Sequence, residues 1–248
     1  MAGDAQSAHA AMDELRSRGY APDVVHYTVL LKAYARGRDA AAAEYLRNEM
    51  DANNVRMDRI AWLWLFRAFS FQYNMLWYAW DEMLSQDQAS AQAFSIIINT
   101  SAMRANLMRQ VYIEWERARP MGFLDVRNYN QLAAALAKRH MLPEACDVLE
   151  AMHADKPLDY ASDASRANVW TWTARALVSS LSSYRRQHGD DKAGRLLERL
   201  EQAAPEILTL AEDEERIRRE GPPAPPRRRP DDPRGTRKRR AFIDVKLK

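Results

Sequence analysis

With 248 residues, 47% hydrophobic content and only 8 Gly and 11 Pro, the chain carries enough apolar material for a sizeable core, which excludes a mostly disordered protein. Ala, Leu, Arg, Glu and Met dominate, a mixture that favours helix, and the single cysteine, Cys146, excludes an intramolecular disulfide. The net charge of +3 is divided unevenly: from Arg216 onward 13 Lys+Arg face 4 Asp+Glu, a balance of +9, so the body before it stands at −6 and argues against a basic face on the body taken whole.

Met1 leads straight into Ala-Gly-Asp-Ala-Gln-Ser-Ala-His, with no apolar leader. Residues 1–23, ending Arg18-Gly19-Tyr20-Ala21-Pro22-Asp23, read as the second helix and closing turn of an incomplete repeat. The stretch 24–58 follows as two amphipathic helices, Val25 to Ala35 and Ala40 to Met50. They are broken at Gly37-Arg38-Asp39, where Asp39 can cap the second helix. In that second helix Ala42, Tyr45, Leu46 and Met50 fall at helical spacing.

The next unit, 59–90, holds the most apolar run, Ile60 to Trp80. Arg67, Gln72 and Asn74 interrupt it, so it reads as core helices and not as a membrane span. Its aromatic density, from Trp62 and Trp64 through Phe66, Phe69, Phe71, Tyr73, Trp77 and Tyr78 to Trp80, is expected to be buried, with any surplus forming a partner interface. The unit 91–125 opens with Ala93-Phe94-Ser95-Ile96-Ile97, and 126–160 opens after Asp125 with Val126-Arg127-Asn128-Tyr129-Asn130. An aromatic followed by a small polar and then apolar residues recurs, with a period near 35 residues. Residues 161–215 continue as a diverged or capping pair, Val169 to Tyr184 and Lys192 to Leu210, in which Trp170 and Trp172 fit the pattern poorly. Residues 216–248 form a Pro- and Arg-rich tail that cannot bury a core and is expected to be disordered. Its Arg237, Lys238, Arg239 and Arg240 are suited to phosphate contacts.

No helix of such a pair can bury its stripe alone, so the pairs must stack into an all-α solenoid of helix-turn-helix repeats. No catalytic constellation emerges. His9, His26, His140, His153 and His188 are scattered without metal-ligand spacing, and neither a cysteine pair nor a glycine-rich phosphate loop occurs. The expectation is a binding protein and not an enzyme, with no cofactor, metal, small-molecule substrate or membrane.

A unit reading Val-Val-x-Tyr-Thr-x-Leu-Leu in its first helix, Glu-Met near the end of its second and Pro-Asp at the close resembles the pentatricopeptide repeat family, over roughly residues 3 to 160. The resemblance implies a right-handed α-α superhelix that binds single-stranded RNA in mitochondria or chloroplasts, one base per repeat, as an adaptor in RNA processing, stability or translation. In that family the fifth and last residues of a repeat read the base edge and the second packs against the base. Carried over, Thr28 pairs with Asp58, Ser95 with Asp125, and Asn130 with Asp159, which sits one place out of register. The packing positions are Val25, Gln92 and Arg127. The implied bases are guanine for the first pair, guanine by preference for the second and uracil for the third. The unit 59–90 offers Leu63 and Ser90, and is expected to read none.

The same Asp residues can equally serve as helix caps, and a second function class stays open: a helical scaffold that grips a protein or a ribonucleoprotein complex. Charge separates the two. First-helix faces lined by Lys32, Arg36, Arg67, Arg104 and Lys138 favour RNA, whereas acidic or aromatic faces favour protein.

Overall fold

The structure is a computed structural model and describes residues 2–157, 159–160, 168–205 and 207–220. Apart from a 3-10 turn at Arg119–Met121, every regular element among these residues is an α-helix. A single helix α1 (Ala2–Ser17) is followed by α2 (Val24–Gly37) and α3 (Ala40–Ala52), then α4 (Arg59–Phe69) and α5 (Tyr73–Ser85). After them come α6 (Ala91–Ser101) with α7 (Ala105–Ala118) and α8 (Val126–Lys138) with α9 (Leu142–Asp155). The chain closes with α10 (Thr171–His188), α11 (Asp190–Ala203) and α12 (Ile207–Glu220).

Local chemistry sets these boundaries. Asp23, Asp39, Asp58, Ser90 and Asp125 each lend a side-chain oxygen to backbone N–H groups of the turn that follows, satisfying donors that a helix start leaves open. Helix ends are marked as regularly. Gly19, Asn54, Asp87, Gly122 and Lys156 all take left-handed backbone, at φ of 81°, 57°, 55°, 73° and 46°. The first four each lie three or four residues before the cap of the next first helix, and Lys156 closes the last unit in the same way.

The first helices α2, α4, α6, α8 and α10 pack one on the next as a layer, and the second helices α3, α5, α7, α9 and α11 form a layer behind them. The core fills the space between. Tyr27, Leu30 and Leu31 meet Leu46 and Met50; Trp62, Leu65 and Phe66 meet Leu76, Trp80 and Met83; later pairs repeat the arrangement, and all these side chains are buried. Aromatic contacts carry the core across unit boundaries, with Trp80 5.5 Å from Phe94 and Trp115 edge-on to Tyr129 at 6.0 Å.

A ladder of polar links ties each second helix to its neighbour. Arg16 pairs with Glu49, Arg47 with Glu82 at 2.9 Å, Arg117 with Asp81 at 2.6 Å, and Arg199 with both Asp147 and Glu150 at 2.7 Å. Between α5 and α7 the indole N–H of Trp80 donates to the buried Glu114 at 3.2 Å, and between α7 and α9 the Tyr112 hydroxyl donates to Asp147 at 3.1 Å.

Two expectations are revised. The helix read as Lys192 to Leu210 is broken at Ala204-Pro205: Pro205 has no N–H, and Ala204 is held at φ −146°, ψ 86°. The chain turns there into α12, which lies against α10 and continues to Glu220, past Arg216, where the tail was expected to begin. The remainder of that tail lies outside the described residues.

Candidate functional site

The first helices α2, α4, α6, α8 and α10 contain no Asp or Glu at all. Carboxylates flank them at the caps Asp23, Asp58 and Asp125, while α3, α5, α7, α9 and α11 all carry carboxylates within the helix. The negative balance of the body is therefore a property of one layer, which corrects the expectation that the body as a whole disfavours an anion.

Cations behave differently in the two layers. On the second helices Arg47, Arg117 and Arg199, and Arg119 just after α7, are held in ion pairs. On the first-helix side Arg185, at the end of α10, pairs with Asp190 at 3.2 Å, but four cations lie over aromatic rings instead. The Arg67 guanidinium is 4.6 Å from the Trp64 ring, and the Lys32 Nζ of the preceding unit is 5.6 Å from the same ring. Arg38 lies 4.6 Å over Phe71, and Arg104 lies 4.2 Å over Tyr73. Each contact joins consecutive units, except the Arg67–Trp64 pair within α4. Arg36 and Lys138 are exposed on α2 and α8, so the five cations chosen as the discriminating set all belong to first helices or to the turn after one.

Val25, Gln92 and Arg127 are exposed one residue into their helices, and Ile60 takes the corresponding place in the second unit, with 63% of Val25 and 58% of Ile60 accessible. Thr28 is half-buried, and its hydroxyl donates to the Val24 carbonyl at 2.7 Å. The Ser95 hydroxyl accepts from the Asn128 amide at 2.9 Å, a bond from α8 back to α6. Asp58 and Asp125 cap α4 and α8, accepting from Ala61 N at 2.7 Å and Asn128 N at 2.9 Å. Asp159 accepts from Val126 N at 2.8 Å, so it sits at the N-terminus of α8.

Asn130 departs from its expected role. It is fully buried, its amide nitrogen donates to the carbonyls of Val126 at 3.0 Å and Asn168 at 2.9 Å, and its amide oxygen accepts from Trp170 N at 2.8 Å. The side chain joins α8 to the start of α10, and a base could reach it only by displacing residues 168–170. Arg237, Lys238, Arg239 and Arg240 lie outside the described residues.

The aromatic run of the second unit divides. Trp62, Phe66, Phe69 and Trp80 are buried as expected, whereas Phe71 and Tyr78 are each 60% exposed and Trp64 is half-buried beside the cations. The Lys32–Trp64–Arg67 group escaped the sequence reading, yet a signal for it was present: Lys32 and Arg67 stand 35 residues apart, at one place in successive units, with Trp64 one helical turn before Arg67.

Cys146 is buried on α9, and burial pushes its thiol up to about 12, so thiolate chemistry at neutral pH has no foothold there. At the end of α9 the Asp155 carboxylate accepts from the Tyr129 hydroxyl at 2.6 Å and from Arg119 at 2.7 Å. Burial works against its ionisation, but these two partners hold it below the ordinary carboxylate range. Among the described residues no cluster of three or more His, Cys, Asp or Glu is placed to hold a metal, and no helix is long and apolar enough to cross a membrane.

No curated protein matches the chain at a significant level. Among solved structures, the pentatricopeptide repeat protein PPR10 from maize aligns with 20% identity over 85% of this chain and 29% of its own, at a TM-score of 0.49. A structure of PPR10 in complex with an 18-nt psaJ RNA element aligns with 18% identity over 83% and 28%, at 0.48. The Arabidopsis thaliana nuclear protein-only RNase P 2 aligns with 16% identity over 77% and 41%, at 0.49. The chain thus spans less than half the length of each of these proteins. Residues 1–113 match the model of a family described as pentatricopeptide repeat-containing protein, and over that region the chain is similar to that family.

Proposed function

We propose that the chain is a non-catalytic adaptor that binds single-stranded RNA along its first-helix layer. The observation that carries this reading is the segregation of charge: no first helix contains a carboxylate, and Lys32, Arg38, Arg67 and Arg104 have no ion-pair partner among the described residues. A phosphate arriving there displaces no protein anion, and binding is driven by release of its counterions. The exposed Val25, Gln92 and Arg127 supply surfaces against which bases pack. Thr28 with Asp58 and Ser95 with Asp125 supply the reading pairs. Each hydroxyl keeps hydrogen-bonding capacity beyond its present bond, and each capping carboxylate has a second oxygen to offer a base N–H. Asn130, and with it the pairing to Asp159, leaves the reading set because its amide is occupied. The family resemblance extends the proposal to an organellar transcript, held in a mitochondrion or chloroplast for processing, stabilisation or translation.

The test uses the chain ending at Glu220, so that tail charge cannot substitute for the repeats, and a random single-stranded RNA pool at about 0.15 M salt. Reversing Lys32, Arg67 and Arg104 to Glu is expected to weaken binding at least tenfold, while the same reversal of the second-helix cations Arg109, Lys192 and Arg195 leaves it nearly unchanged. Equal loss in both variants, or no binding by the starting chain, would move the reading to a protein-binding scaffold. A tagged protein imaged in its native cells tests the compartment.

A further inference from the structure

The second unit has Leu63 where its neighbours have Thr28 and Ser95, so it cannot read a base edge by hydrogen bonding. The residue after it is Trp64, half-buried, with Arg67 of the same helix and Lys32 of the preceding unit drawn over its ring at 4.6 and 5.6 Å. Neither cation has a carboxylate partner among the described residues, which sets this group apart from the paired arginines of the second helices. Ile60, one turn earlier on α4 and mostly exposed, adds an apolar wall.

We propose that Trp64, Lys32 and Arg67 form a nucleotide clamp in which the indole takes one base by stacking and the two cations take the phosphates on either side. The proposal rests on the RNA-binding reading above. A cation over a partly exposed ring is a weaker contact than a stacked base, and a phosphate is a better partner for lysine or arginine than a π face. The exchange therefore runs toward the bound strand. Because every base has a π face, the clamp is indifferent to base identity. The nucleotide between those facing Thr28 and Ser95 is gripped but not read, and the ligand is an RNA element with a free choice at its middle position.

Two measurements on the full chain test this. Ultraviolet cross-linking of the wild-type complex, followed by trypsin and mass spectrometry, is expected to leave a nucleotide on peptide 60–67 at Trp64, since Trp62 in the same peptide is fully buried. Trp64→Leu is expected to lower affinity about tenfold, and by the same factor for RNAs of every composition. Circular dichroism checks that the variant is folded, and if it is not, the cross-link on the wild-type chain decides. Wild-type binding with adducts only on other peptides, or a folded Trp64→Leu chain that binds as tightly as wild type, overturns the clamp and leaves RNA binding standing. Failure of the wild-type chain to bind RNA overturns both.

Discussion

Asn130 illustrates how one side chain can satisfy a sequence pattern for a reason the pattern does not contain. It stands at the fifth place of its unit, as Thr28 and Ser95 do, but its amide N–H groups are taken by the Val126 and Asn168 carbonyls and its oxygen accepts from Trp170 N where the 168–170 segment returns over it. Asn130→Ala leaves Trp170 N–H and the Asn168 carbonyl without that partner, and is expected to cost about 2–3 kcal/mol in urea unfolding. A loss below about 0.5 kcal/mol would show that the joint is not holding α10 in place. Asp155 gives a prediction in pH. Its folded carboxyl is held below its ordinary value, so its contribution is complete above about pH 4 and is lost as pH falls through the depressed folded value. Asp155→Asn is expected to flatten the acid limb of the stability curve, measured by melting between about pH 2 and 6.

The closing turns show which parts of the helices were legible in the sequence and which were not. Caps are written in the residue type: Asp39, Asp58 and Asp125 could be read as N-caps because a short side-chain acceptor before an apolar run has few other local uses, and all three cap. The left-handed ends were only half legible. Gly19 and Gly122 announce themselves, but Asn54, Asp87 and Lys156 take the same backbone without a glycine to mark it. Lys156 is the most costly choice among them, exposed at φ 46°. Lys156→Gly is expected to stabilise the chain by up to about 1 kcal/mol, a gain readable in urea unfolding at neutral pH. Pro205 marks the break in the chain, but the apolar spacing of 192–210 runs across it without a phase change and so favours one continuous helix. Through that break α12 folds back on α10 and buries Ile207 completely. A chain ending at Ala203 is expected to melt about 5 °C lower or more and to self-associate, because it uncovers one side of α10. Unchanged melting would mean that α12 caps nothing.

At the scale of the molecule, period and helical character were readable because each unit must bury the same stripe against the next, so the constraint recurs down the chain. Charge placement was readable too, but only once the helices were sorted by layer. Summed along the body, the carboxylates of α3, α5, α7, α9 and α11 conceal first helices that have none. The ladder from Arg16–Glu49 to Arg199–Glu150 confines the acid to one side and spends it on joining neighbours. Two layers of opposite sign, about one helix diameter apart, amount to a permanent electric moment directed across the stack. A diffusing polyanion would exert a torque on such a molecule before touching it, turning the carboxylate-free face forward. Association should therefore slow with added salt more steeply than the net charge of +3 alone would give, and orientation would be chosen before any base is read.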